Sequence, residues 1–225
     1  MHYHIGTMLI DENFDGKVEC PVCRIQKKID ERLTEQYLGE GVMEDDTRKE
    51  VNKLGFCLHH YSKLYASHSK LGLALQVSTR LNTVMANVDK AKNAKSAKKQ
   101  AENLLNLGKT CVVCKYLENH MVRYYKTIAQ VYDNVASFKQ RIKSTPGFCL
   151  EHYAQLLNYS SFAGKKQEEY LADLYEVESN LLNNLKGSID DFCIHNDYRN
   201  IGKPISKEAK ESLKNASCVF YGEEK

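Results

Sequence analysis

The chain has no tryptophan and only three prolines among its 225 residues. So few backbone breakers leave long Leu-, Lys-, Glu- and Gln-rich stretches free to form helix rather than strand. No run approaches the roughly 18 apolar residues of a membrane span, so no membrane partner is expected. The opening residues Met1-His2-Tyr3-His4-Ile5-Gly6 carry neither a basic stretch nor an apolar core, and no signal peptide is expected. A formal net charge of +3 is too small to call for a polyanionic partner. With neither a membrane span nor a signal peptide expected, the cysteines are expected to lie in a reducing cytoplasm. There, regularly spaced thiols bind metal or do redox chemistry more often than they form structural disulfides.

What the chain does have is eight cysteines, six of them in a repeated pattern. Cys20, Cys23, Cys57 and His60 form one C-x2-C…C-x2-H set, and Cys111, Cys114, Cys149 and His152 form a second. The spacers hold 33 and 34 residues (24–56 and 115–148). The flanks of the second half-motif also repeat, as Gly55-Phe56-Cys57-Leu58 and Gly147-Phe148-Cys149-Leu150. Three thiolates and an imidazole suit tetrahedral Zn²⁺, so two zinc sites are predicted, with an iron–sulfur cluster as the alternative cofactor. Residues i and i+3 share one side of a helical turn, so each half-motif can present both donors to one ion. Ligation within each repeat is the first expectation, because each spacer is long enough for a helix out and a helix back. The exchanged arrangement, with Cys20 and Cys23 meeting Cys149 and His152, stands second. A thioredoxin-type role lacks its βαβ framework. Arg24 and Lys115 argue against a c-type haem, since they stand where its histidine would follow the second cysteine.

Helical periodicity predicts an all-α protein, a bundle of six to eight helices built on a tandem duplication, each repeat stapled by a Cys3His site. Residues 1–88 are read as the first repeat, with 1–19 an extended lead-in. Residues 89–108 form a Lys/Ala-rich connector, 109–160 the second repeat, and 161–225 a long helix and polar tail. Ile25, Ile29, Leu33 and Tyr37 mark one buried face. Val77, Leu81, Val84 and Val88 mark another, and Leu117, Met121, Tyr124, Ile128, Val131 and Val135 a third. The final long helix is expected over 165–192, with a short one around 206–215.

Other residues carry weaker signals. Cys193, His195 and Asp197 have the types of a nucleophile–base–orienter trio, but neighbours on one segment seldom point together. His59 reads as a surface residue and His120 as a core histidine. Lys90, Lys92, Lys95, Lys98 and Lys99 could meet phosphates, yet no aromatic residues interleave to stack on bases, which speaks against nucleic acid.

Cys20-Pro21-Val22-Cys23, Gly55 to His60, Cys111 to Cys114, Gly147 to His152 and Asp197-Tyr198-Arg199-Asn200 together resemble an uncharacterised family of mostly clostridial bacterial proteins, a domain of unknown function. Tyr3-His4-Ile5 and Met43-Glu44 also fit that pattern. The resemblance spans nearly the whole chain and implies the fold and the repeat, but no reaction. The expected function is therefore a cytoplasmic, metal-binding helical module that engages a protein or small-molecule ligand. The alternative is a redox enzyme or sensor built on iron–sulfur or reactive thiols. No catalytic residue is predicted.

Overall fold

A computed structural model describes residues 5–16, 20–88, 90–200 and 204–222. Among these residues the regular structure is all helical. The α-helices are α1 (Ile5–Asn13), α2 (Pro21–Gln36), α3 (Asp45–Leu54), α4 (Leu58–Ala66), α5 (Lys70–Met85), α6 (Ala94–Leu107), α7 (Val112–Asn134), α8 (Ala136–Lys143), α9 (Leu150–Asn158), α10 (Gln167–His195) and α11 (Lys207–Tyr221). The all-α expectation holds, with eleven α-helices among the described residues instead of six to eight. The excess comes from α1, α6 and α8, short or apolar-poor segments whose periodicity is too brief to read.

Local chemistry explains several boundaries. Asp45 and Asp46 place negative charge in the first turn of α3 and pair with Arg48 and Lys49 one turn on. That helix stops at Gly55, whose φ of 66° strains any other residue. Asn93 and Ser96 cap the start of α6 reciprocally, so the Lys/Ala-rich stretch is a solvated helix with no buried residue. Ser206 caps α11 by accepting from the Ala209 amide.

The chain divides into two compact units, Met1–Lys27 with Met121–Lys225, and Lys28–His120. Neither follows the expected boundaries of 1–88, 109–160 and 161–225. The cut instead falls inside α2 and α7, each of which contributes its two ends to different units.

In the first unit α10 packs against α8, α9 and α11. Residues 1–19 are not simply a lead-in. On and beside α1, Leu9, Ile10 and Phe14 are buried, and the Phe14 ring lies 5.1 Å from Phe138 and 6.4 Å from Phe148. Arg141 fastens this segment, donating to the Phe14 carbonyl at 3.0 Å and to the Asp11 carboxylate at 2.6 Å. The buried face of α7 in this unit is Met121, Tyr125, Ile128, Ala129 and Tyr132, about one residue around from the predicted stripe; Val135 is exposed. Tyrosine rings carry that face: the Tyr132 hydroxyl donates to the buried Asp173, and Tyr132 packs 5.0 Å from Tyr170. Leu185 of α10 packs with Ala216 and Val219, so α11 is longer than expected and docked rather than a loose tail.

In the second unit α3 and α4 both pack against α5. The predicted face of Ile29, Leu33 and Tyr37 is buried. The predicted α5 face is not, since Leu81 and Val88 are exposed while Leu73 and Gln76 are buried. Arg80 of α5 donates to the carbonyls of Asn52, Lys53 and Leu107, setting one positive charge at the C-terminal ends of α3 and α6.

Glu178 of α10 is 3% exposed and accepts from the Phe148 amide with one oxygen, while its Oε1 has no partner. Burial, reinforced by the nearby Cys149 charge and opposed by the Phe148 amide, pushes its carboxyl up to about 7. An acid raised this way is most favourable to the fold when protonated. Its contribution therefore weakens as pH rises from the unfolded value near 4.5 through 7. Replacing it, Glu178→Gln, is expected to leave stability unchanged near pH 5 and to raise it by about 1–3 kcal/mol at pH 8. Paired urea titrations of wild type and variant across that range check this. A pH-independent difference would contradict it.

Candidate metal centres

All four half-motifs sit at helix starts in the same register. The carbonyls of Cys20, Cys57, Cys111 and Cys149 accept from the amides of Arg24, Tyr61, Lys115 and Tyr153, the first bonds of α2, α4, α7 and α9. Each leading cysteine is thus at the N-cap, and Cys23, His60, Cys114 and His152 stand three residues in. These two positions face each other at the top of a helix, as in a capping box. Pro21 is the first residue of α2, where its missing amide costs nothing. The sulfurs therefore lie at the positive ends of four helices, which favours thiolate.

The half-motifs come together two by two, nested along the chain. Cys20, Cys23, Cys149 and His152 converge in the first unit, and Cys57, His60, Cys111 and Cys114 in the second. Within each group all donor atoms lie within 4.8 Å of one another. Ligation within each repeat, the first expectation, is corrected: the exchanged arrangement is the one formed. Helix lengths are consistent with this arrangement. The 16 residues of α2 carry the chain about 24 Å from its own start, and the 10 of α3 return only about 15 Å. A spacer judged by residue count suggests a helix out and an equal helix back; judged by helical rise the two differ by about 9 Å, so they do not cancel.

The first group is sealed. Cys20, Cys23, Cys149 and His152 are 4%, 8%, 2% and 1% exposed. His152 Nδ1 lies 3.6, 3.2 and 3.1 Å from the sulfurs of Cys20, Cys23 and Cys149, and the Cys23 and Cys149 sulfurs are 3.6 Å apart. Gly147, just before Cys149, has no room for a side chain: a Cβ there would stand 2.9 Å from Leu181 Cβ. At the end of α11, a Cβ on Gly222 would stand 3.4 Å from the Cys23 sulfur, so the backbone there closes over the donors. Cys218 of α11, outside the repeated pattern, lines a cavity of about 200 Å³ together with Cys20 and Cys149.

The second group is more open, with Cys114 exposed and Cys57 half-buried. His60 Nδ1 lies 3.2, 3.4 and 3.3 Å from the sulfurs of Cys57, Cys111 and Cys114, and Cys57 and Cys114 are 3.8 Å apart. Gly55 ties the two half-motifs together, its carbonyl accepting from the Val112 amide at 3.0 Å, while Thr110 donates to the Leu54 carbonyl at 2.6 Å. On its far side His60 Nε2 meets Asp30 Oδ1 at 2.6 Å, and Lys63 donates to the other Asp30 oxygen.

These donors fit a single tetrahedral ion. Metal–sulfur and metal–nitrogen bonds of about 2.3 and 2.1 Å make tetrahedron edges of about 3.8 Å (S···S) and 3.6 Å (S···N). The separations found run from 3.1 to 3.8 Å, whereas a disulfide closes to about 2.0 Å. Protonation points the same way. In the sealed group, S–H contacts from Cys20 and Cys23, with His152 beside them, drive the Cys149 thiol far down. Burial and the Cys149 charge push Cys20 up to about 12, and contacts with Cys149 and Cys20, with burial, push Cys23 up as well. Three sulfurs this close cannot all ionise without a cation among them. In the open group burial opposes ionisation of Cys111 and of His60. The contact with His60 outweighs it for Cys111, holding that thiol down at about 6. Asp30 and the thiolates outweigh it for His60, raising the imidazole to about 10. Burial likewise opposes the Asp30 charge, but His60 and Lys63 hold that carboxyl down at about 2.

The remaining candidates are not assembled. His195 is bound to Asp191, and Asp197 to Arg199, so Cys193, His195 and Asp197 form no trio. Cys193 is exposed, and Tyr198 of the Asp-Tyr-Arg-Asn element is 79% exposed in a short 3-10 turn. His59 is exposed, its ring 4.9 Å from His60, so with Asp30 it lies beside the open group. His120 is only partly buried. Tyr3 and His4 lie outside the described residues, and so does the side chain of Ile5. Sequence reasoning missed Asp30 and Lys63. Asp30 follows Ile29 on a buried stripe, and an acid in that place was a signal.

A family model described as "Family of unknown function (DUF6062)" matches residues 1–224. The chain belongs to this family. It is also similar to a protein from Caldicellulosiruptor sp. (strain Rt8B.4) described as "Uncharacterized 23.9 kDa protein in xynA 3'region", at 23% identity over 190 residues, covering 84% of this chain and 88% of that one. No solved structure matches it.

The nested pairing can be checked without metal. Mild peroxide oxidation of reduced, metal-stripped protein is expected to join Cys23 to Cys149 and Cys57 to Cys114, as peptide mapping would show. A bridge from Cys20 or Cys23 to Cys57 would contradict it.

Proposed function

We propose that the chain is a cytoplasmic protein that holds two structural zinc ions, one in each Cys3His group, and serves as a binding or interaction module. The observation that carries this reading is the convergence of four donors on one point in each group, at separations matching tetrahedron edges. Cys20, Cys23, Cys149 and His152 would hold one ion, and Cys57, His60, Cys111 and Cys114 the other. Four protein ligands leave no open position for water or substrate, which favours a structural role. An iron–sulfur core would need its ligands spread around several metal atoms, and these donors are too close together for that. Exposed Leu58, Tyr65, Leu71 and Leu75 on α4 and α5 support an interaction role over a catalytic one.

Each ion would staple two helix starts that are distant in sequence. Apparent zinc-binding energies of roughly 10–16 kcal/mol rival the 5–15 kcal/mol stability of a whole domain. Protein purified without added metal is expected to be colourless and to contain about two zinc ions. The double variant Cys20→Ser/Cys149→Ser should lose one ion, and Cys20→Ser/Cys57→Ser should lose both. Elemental analysis decides it: no metal, or a brown protein containing iron, would overturn the reading.

Stripping the metal also tests its structural role. A strong chelator, or Cys111→Ser, is expected to lower the thermal midpoint and to raise hydrogen exchange mainly within residues 28–120 for the variant. Much helix should survive in circular dichroism, since the buried Phe14 ring packs against Phe138 and Phe148 and such apolar contacts do not need the metal. Unchanged stability with loss of a measurable activity would favour a redox enzyme or sensor instead.

A further inference from the structure

The two donor groups share a ligand pattern but not their surroundings. His60 Nε2 lies 2.6 Å from Asp30 Oδ1, with Lys63 on the other carboxylate oxygen, and both His60 and Asp30 are buried. The matching atom of the sealed group, His152 Nε2, is buried with no hydrogen-bond partner. The repeated sequence explains the difference. Counting seven residues on from the second cysteine of each C-x2-C gives Asp30 in one copy and Met121 in the other. Counting three on from each histidine gives Lys63 and Gln155. One copy carries an acid and a base where the other carries a thioether and an amide.

A carboxylate on the outer nitrogen of a metal-binding histidine does three things. It fixes which nitrogen keeps the proton, it locks the ring's orientation, and it makes the inner nitrogen a stronger donor. Asp30 is placed for all three. It accepts the Nε2–H proton, so Nδ1, which faces the three sulfurs 3.2–3.4 Å away, is the atom left to give its lone pair to an ion placed among them. Lys63 in turn compensates the charge of a carboxylate that is only 4% exposed. His60 and Lys63 stand three apart on α4, so one helical face presents both partners to Asp30 on α2. Asp30, His59 and His60 also lie close together, but both Asp30 oxygens already have partners, His60 Nε2 on one and Lys63 on the other.

We propose that Asp30 is a positioning residue for the more open of the two metal centres, orienting His60 toward the ion, and that the sealed centre works without such a partner. The two centres are therefore unequal: one combines an exposed Cys114 thiol with an imidazole–carboxylate–ammonium chain, whereas the other is buried and its histidine has no such chain. This rests on the metal-binding reading above.

The test uses the full chain loaded with zinc and a chromophoric chelator as competitor. Asp30→Asn is expected to weaken one of the two ions by about 10–100-fold and leave the other within about twofold. Lys63→Gln, which keeps the carboxylate–imidazole contact, should cost that ion much less. A spectroscopic readout separates positioning from general destabilisation. In ¹⁵N-edited spectra of the zinc-loaded wild type, the His60 Nε2–H proton should be shifted downfield and slow to exchange, and that of His152 should not. Asp30→Asn should abolish the His60 signature while leaving His152 unchanged. Equal loss at both ions, no loss at either, or indistinguishable Nε2–H signals in the wild type would overturn the proposal. Should Asp30→Asn not fold, the wild-type signals and the Lys63→Gln affinity still decide. Wild type that binds no zinc would sink the metal-binding reading itself, whereas two ions with no Asp30 dependence would sink only this inference.

Discussion

Everything in this molecule hangs on how four helix starts meet in pairs. Each start presents one sulfur at its N-cap and a second donor three residues in, so a pair of starts brings four donors to one place. The same backbone geometry points unsatisfied amides and the positive ends of the helix dipoles toward those donors. Thiols crowded at 3.6–3.8 Å would otherwise repel once ionised. Local helix geometry thus creates both the electrostatic problem and part of its solution, and a cation would supply the rest.

The nested order of the pairs also sets the division of the chain. Because the first half-motif meets the last, residues from both ends form one unit, and the middle of the chain forms the other. The two long helices that begin at C-x2-C motifs, α2 and α7, each pass through the unit boundary. A fold read as two successive repeats is in this sense a fold of interleaved ones. Small constraints hold the junctions: Gly55 takes a positive φ and offers its carbonyl to α7, and Gly147 leaves space that Leu181 fills.

Much of this was legible beforehand, for definite reasons. Composition and periodicity suffice for helix, and the long helix expected over 165–192 forms over Gln167–His195 because its apolar face persists through so many turns. The donor residues were visible as types because the spacing repeats. Their partners were not, since that depends on helix lengths in ångströms and not on residue counts. The α1 segment was missed because a nine-residue helix gives too little period to detect. The face of α7 was misjudged by about one residue because buried tyrosines, not aliphatic residues, carry it. Asp30 was passed over because its role appears only when α4 is brought to α2.

The most direct test of the account is crystallography of the purified protein at the zinc absorption edge. The account requires two anomalous peaks per chain, one among Cys20, Cys23, Cys149 and Nδ1 of His152, the other among Cys57, Cys111, Cys114 and Nδ1 of His60, with sulfur distances near 2.3 Å. A single ion joining Cys20 and Cys23 to Cys57 and His60, or no peak at either group, would contradict it.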